Sequence, residues 1–122
     1  MPQFEIAIER VFPAAHAIVM RGERETLHGH NWVVRVVVAG HALDADGLLV
    51  DFHELERLLD AIVAPFRNAN LNEAPPFDRL NPTAERLAEH VGVEMARQLP
   101  KGVALVSVSV TEAPGCVATY RP

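Results

Sequence analysis

Cysteine is nearly missing from this 122-residue chain: Cys116 stands alone, so no internal disulfide can form and the fold must rest on packing. Aromatic residues make up 6% of the sequence, so the core falls to Val, Leu, Ile and Ala within a hydrophobic content of 49%. Positive charge is scarce too, with 11 Lys and Arg against 16 Asp and Glu and a net charge of −5. That balance excludes a general nucleic-acid binder, which carries a basic surface. No apolar run approaches the roughly twenty residues that span a bilayer. Polar and apolar residues alternate from the outset, which is not the pattern of a signal peptide. The expectation is one cytoplasmic domain over residues 1–122, with neither a nucleic-acid nor a membrane partner.

What the chain does have is histidine in a telling place. The stretch Leu27-His28-Gly29-His30-Asn31-Trp32 sets two imidazoles two residues apart. On an extended strand such a pair projects to one side. Gly29 leaves the opposite face open to a close approach. His16 follows Phe12-Pro13-Ala14-Ala15 and precedes a polar stretch that returns to the pair. A strand, a loop and an antiparallel strand would therefore set His16 beside His28 and His30. Three neutral imidazoles with one open position are the donor set of a catalytic zinc site. H-x-H alone is a weak signal, and most such pairs are ordinary strand histidines.

Along the chain, residues 3–11 alternate and predict a half-buried strand. Residues 18–26 are polar around Gly22 and predict a loop. Residues 30–39 are the strongest strand signal, apolar on both faces, which suggests that both are covered. Leu48-Leu49-Val50 is read as a short run closing that strand pair. Asp51 and Glu54 form a capping-box pattern opening a helix whose buried stripe is Phe52, Leu55, Leu58, Leu59, Ile62, Val63 and Phe66. Pro65 and the Asn-rich residues 68–72 end it. Asn81 as N-cap and Pro82 at the first helical position open a second helix, with Leu87, Val91, Met95 and Leu99 as its buried stripe. Strands follow at 103–110, with Val106, Val108 and Val110 on one face, and at 116–120. The fold class is α+β: a four-stranded antiparallel sheet in the order ββααββ, with two helices on one face.

These pieces together resemble the 6-pyruvoyl-tetrahydropterin synthase family, which includes the 6-carboxy-tetrahydropterin synthases of queuosine biosynthesis. The matching residues are Phe12 to His16, Leu27 to Asn31, Gly47 to Phe52, Leu71-Asn72, Asn81 to Glu85, and Thr111-Glu112-Ala113. The resemblance implies the tunnelling fold, with three subunits closing their sheets into a barrel and two trimers stacking into a homohexamer. It implies zinc held by His16, His28 and His30, and 7,8-dihydroneopterin triphosphate as substrate. It further implies that Glu112 grips the pterin ring through a bidentate, charge-assisted pairing, with Thr83 lining the same pocket.

The departures from the family are as informative. Its usual catalytic cysteine, four residues before the first His of H-G-H, is replaced by Arg24, which stays charged and cannot abstract a proton. Its Asp-His pair corresponds to Arg67 and Asn68, which cannot relay protons. Glu25 supplies a candidate base in the spacing Glu-x-x-His-Gly-His, with Glu23 a second possibility. Family members with glutamate there cleave the substrate to 6-hydroxymethyl-7,8-dihydropterin. The expected product is therefore a 6-carboxy- or 6-pyruvoyl-tetrahydropterin, or, through Glu25, the hydroxymethyl compound; a non-catalytic pterin or purine binder is the remaining alternative. Cys116 reads as a small buried hydrophobe, and His41, His53 and His90 as ordinary surface residues.

Overall fold

The structure, a computed structural model, describes residues 2–122. Its axis is a pair of 13-residue strands, β1 (Phe4–His16) and β4 (His28–Gly40). They pair antiparallel from Phe4↔Gly40 to His16↔His28. Their β-branched and aromatic residues suit a pleated, half-buried surface. One face is core: Ile8, Phe12 and Ala14 of β1 lie beside Trp32, Val34, Val36 and Val38 of β4, all buried. The opposite face carries exposed Glu5, Glu9 and Arg35, with Val33 and Val37 half-buried and Val11 53% exposed. Among the described residues no element covers that second face. Its apolar content is confined to such scattered residues.

Between β1 and β4 the polar stretch is more ordered than its composition implies. Strands β2 (Val19–Met20) and β3 (Glu23–Arg24) pair antiparallel across Arg21 (φ 51°) and Gly22 (φ 81°). Two successive positive φ values make the turn whose twist matches a hairpin. The expected loop at 18–26 is thus a small hairpin held at the end of the main sheet.

Strand β5 (Ala69–Asn70), β6 (Ala104–Ala113) and β7 (Cys116–Tyr120) complete a five-stranded sheet in the order β5-β1-β4-β6-β7. The expected four antiparallel strands are present, and β5 adds a parallel edge by pairing Ala14↔Ala69 and Ala15↔Asn70. Asn68 makes this possible. It takes φ 58°, a left-handed turn that Asn tolerates, and donates its N–H to Pro13 O at 2.7 Å. A two-residue strand leaves no periodicity to read. In β6 the register shifts between Val37↔Ser107 and Val38↔Leu105, so Val106 is the extra residue of a bulge. Leu105, not Val106, joins Val108 and Val110 against the core, contrary to the simple alternation. Leu48 to Val50 form no strand: Asp44 closes this loop by accepting the Leu48 N–H on its side chain at 3.0 Å.

Helix α1 (Phe52–Val63) is capped by Asp51, whose side chain accepts the His53 N–H at 2.9 Å. Glu54 is drawn toward Arg57 at 3.7 Å rather than completing a capping box. Leu55, Leu59, Ile62 and Val63 are buried, but Phe52, at 49% exposed, lies off the expected stripe. Helix α2 (Ala84–Gln98) starts later than expected. Its N-cap is Thr83, whose hydroxyl accepts the Arg86 N–H at 3.1 Å, because the Asn81 carboxamide is engaged elsewhere. α1 packs on β1, and α2 packs on β6 and β7. Gly92 lets Tyr120 of β7 lie against α2: a Cβ there would sit 2.5 Å from the ring. Arg10, also on the helix-covered face, is satisfied by Asp60 at 2.8 Å and Glu56 at 3.1 Å from α1.

Candidate metal centre and its surroundings

His16 ends β1, His28 begins β4 opposite it, and His30 follows two residues on. All three therefore lie on the helix-covered face and extend the stripe of Phe12, Trp32 and Val34 to the end of the sheet. One ligand-capable nitrogen from each lies within 4.8 Å of the others. Trp32 forms the floor. Its ring meets His16 and His30 edge-on at centroid distances of 4.9 and 5.4 Å, and its indole N–H donates to Ala14 O at 3.1 Å.

The hydrogen bonds fix which nitrogens face inward. His16 Nδ1 lies 2.8 Å from Pro82 O, and His28 Nδ1 lies 2.8 Å from Thr26 O. A carbonyl only accepts, so each Nδ1 carries the proton and each Nε2 presents a lone pair. Those two Nε2 atoms stand 3.1 Å apart. The Nε2 of His30 is buried with no hydrogen-bond partner. Glu112 Oε1 lies 3.3 Å from His16 Nε2, and Glu25 Oε1 lies 3.7 Å from His28 Nε2 and 4.0 Å from His16 Nε2. The space is ringed by acceptors, the chemistry of a cation site. Tetrahedral zinc with bonds of about 2.05 Å separates its nitrogens by about 3.3 Å, close to the His16–His28 spacing. The residues present fit the metal. Burial, partly offset by Glu112, lowers the His30 pKa below 6.5, which favours the neutral form that binds metal.

Glu25 is anchored beside the centre by its backbone N–H to Ile18 O and by the Ile18 N–H to its Oε1, both at 3.0 Å. Glu112 and Thr83 line one cavity of about 440 Å³ with Ile18, Asn81, Cys116 and Ala118. The structure thus brings the expected site residues together, with the Glu112 carboxylate leaning on His16. Glu23 is exposed, and Cys116 is exposed at the cavity rim rather than buried. His41 and His53 are exposed, whereas His90 is half-buried, its ring edge-on to Phe66 and Phe77 at 5.5 and 5.7 Å. Asn68 lines a second cavity of about 560 Å³ with His30, Asn31 and Asn70. Arg67 reaches Val11 O, at 3.4 Å.

Sequence reasoning missed two carboxamide clamps. Asn72 accepts the Ala17 N–H and donates to Ala17 O, both at 2.8 Å. Asn81 accepts the Val19 N–H and donates to Val19 O, both at 2.9 Å. Each mimics a strand partner for the segment between His16 and Glu25. The only signal was the pair of motifs Leu71-Asn72 and Asn81-Pro82, which carry no role by themselves.

A family model described as 6-pyruvoyl tetrahydropterin synthase matches residues 5–122. The chain belongs to that family. Among relatives, a dihydroneopterin monophosphate aldolase of Pyrococcus furiosus is 35% identical over 101 residues, 83% of this chain and 82% of the relative. A 6-carboxy-5,6,7,8-tetrahydropterin synthase of Bacillus subtilis is 31% identical over 128 residues, covering 98% and 86%. A Caenorhabditis elegans 6-pyruvoyl tetrahydropterin synthase superposes with TM-score 0.87 at 21% identity, covering 100% of this chain and 97% of that one. A Plasmodium vivax member, solved as an alanine variant of a catalytic glutamate, gives TM-score 0.81 at 18% identity, covering 100% and 99%. For this member of the 6-pyruvoyl tetrahydropterin synthase family, the fold is the α+β tunnelling fold and the histidine triad is placed for a metal.

Proposed function

We propose that the chain is a zinc-dependent lyase that cleaves the side chain of a phosphorylated 7,8-dihydroneopterin by a retro-aldol reaction. The products would be 6-hydroxymethyl-7,8-dihydropterin and phosphorylated glycolaldehyde. One observation carries this reading. Glu25 Oε1 lies 3.7 and 4.0 Å from the inward nitrogens of His28 and His16, while the family's cysteine position holds Arg24. The aldolase named among the relatives and the catalytic glutamate of the Plasmodium protein support it.

His16, His28 and His30 would hold zinc, which when bound supplies Lewis acidity toward the side-chain hydroxyls. Glu25 takes the proton of the C2′ hydroxyl. The C1′–C2′ bond breaks as C2′ becomes the aldehyde carbonyl. Its electron pair passes into the C6–N5 imine of the dihydropterin, and a proton returned to C1′ gives the hydroxymethyl group. Atoms balance without added water. Glu112 would turn from His16 to accept two N–H bonds from the 2-amino-pyrimidinone edge. Thr83, whose hydroxyl oxygen accepts the helix N–H, still has its own proton to donate into the cavity. The uncovered face and the free edge of β7 support a homotrimer or a dimer of trimers as the working form, since unpaired edges invite pairing.

The test is to incubate zinc-loaded protein with dihydroneopterin mono- and triphosphate and identify products by mass spectrometry. The hydroxymethyl product is expected. A 6-carboxy- or 6-pyruvoyl-tetrahydropterin would replace this reading with the reaction of the Bacillus subtilis relative. An unchanged but bound substrate would make the chain a pterin-binding protein.

A further inference from the structure

The substitution of Arg24 for the family's cysteine removes an acid–base group, and Arg24 instead lines two cavities. A cavity of about 420 Å³ is lined by Arg24, Arg79, Asp78, Asn72, Asn81 and Pro82. Arg24 also lines a neighbouring cavity of about 340 Å³ that contains Glu25. The two cavities thus meet at Arg24. The metal centre is close by, because Pro82 O accepts the His16 Nδ1 proton at 2.8 Å.

The polar groups of this wall divide clearly. Asn72 and Asn81 each hold a backbone segment through their carboxamides, at Ala17 and Val19, so the wall is fixed. Among the described residues, Arg10, Arg57, Arg86 and Arg97 each pair with a carboxylate. Arg24 and Arg79, like Arg21, Arg35, Arg67 and Arg121, form no such pair, and these two line one cavity together with Asp78. In a chain of net charge −5, two uncommitted guanidiniums at one hollow are a site for an anion that takes planar, forked donors.

We propose that Arg24 and Arg79 form a phosphate-monoester subsite that receives the phosphorylated end of the substrate side chain. This rests on the retro-aldol reading, and it identifies the substrate class by its phosphate. The source of the phosphate is either the substrate itself or a free phosphate, and the experiment separates them.

The zinc-loaded protein is titrated with inorganic phosphate at constant ionic strength, and arginine Nε–H resonances are followed by NMR, with chloride as the control. In parallel, kcat/KM is measured for dihydroneopterin monophosphate and for unphosphorylated dihydroneopterin. Saturable shifts that disappear in Arg24→Gln and Arg79→Gln are expected. The phosphorylated-to-unphosphorylated ratio should fall about tenfold in each variant, the size of one charge-assisted hydrogen bond, and recover in part in Arg24→Lys. Phosphate binding without turnover of either pterin would keep the subsite and overturn the reaction. Turnover with no phosphate shifts and an unchanged ratio would overturn the subsite and keep the reaction. Shifts with an unchanged ratio would overturn the substrate as the source of the phosphate.

Discussion

Replacing Glu25 with Gln separates chemistry from architecture. Gln keeps the carbonyl oxygen that accepts the Ile18 N–H, now 3.0 Å from Oε1, so the segment carrying it keeps its anchor. The imidazoles remain held through Pro82 O and Thr26 O, so zinc stoichiometry should stay that of the parent protein. What is lost is the proposed base. General-base catalysis contributes about 10² to 10⁴ in rate, or about 2.7–5.5 kcal/mol of barrier. The negative charge beside the metal is lost too. Glu25 is 29% exposed, so this costs zinc affinity about tenfold or less after solvent screening. At saturating zinc, single-turnover cleavage of dihydroneopterin monophosphate should therefore slow by about 100- to 10,000-fold, with KM moving less than about threefold, since uniform binding is untouched. Glu25→Ala should slow as much and also lower stability by about 1 kcal/mol through the lost Ile18 bond. A Glu25→Gln protein retaining more than about a third of the parent rate would refute the assignment. So would loss of zinc at saturating metal, since Glu25 would then be a ligand rather than the base.

Three further outcomes are expected. Asn72→Ala should lower stability by about 2–3 kcal/mol in urea unfolding, because it strands the N–H and C=O of Ala17, a residue 3% exposed, and unpaired buried groups cost about 1–3 kcal/mol; Asn72→Asp, which still accepts but no longer donates, should fall between. Chelation should lower the melting temperature of the parent protein but not of His30→Ala, since metal at 100 times its Kd stabilises by about 2.7 kcal/mol. For His90, burial lowers the pKa below 6.5, with Glu94 opposing and Arg97 assisting. The folded state resists protonation there, so stability is full above pH 6.5 and declines as pH falls, and His90→Gln should lose less melting temperature between pH 7 and 5.5.

The parts of this molecule legible in its sequence are those that repeat. β1, β4, α1 and α2 announce themselves because burial of one face imposes a period of two or of about 3.6 on ten or more residues. The histidine triad was legible for the same reason: two histidines at strand spacing and a third across a turn must converge if the strands pair. The illegible parts rest on single events. β5 depends on one left-handed asparagine, and the displaced face of Val106 on one bulge. The start of α2 at Thr83 depends on where the Asn81 carboxamide goes, and that is settled by a backbone segment sixty-two residues earlier. The half-buried place of His90 depends on two phenylalanines from separate segments. No local pattern encodes such pairings.

The same distinction explains how a family member can exchange its chemistry without disturbing its frame. The three imidazoles placed for a metal sit on the two longest strands and are backed by Trp32, which is fully buried. To move them is to move the core. Arg24 sits instead on a hairpin, and Glu25 directly after it, in a segment attached through two asparagine side chains and a few backbone hydrogen bonds. Glu25 follows the last residue of β3, with its carboxylate 3.7 Å from His28 Nε2, while Arg24 lines the neighbouring cavity with Arg79. If Glu25 is the base and Arg24 the anion contact, as proposed, then arginine at the cysteine position and glutamate one residue later would change both together, while the histidine triad and the fold stay as they are. Reaction type would then be set by the segment that the sheet core does not specify.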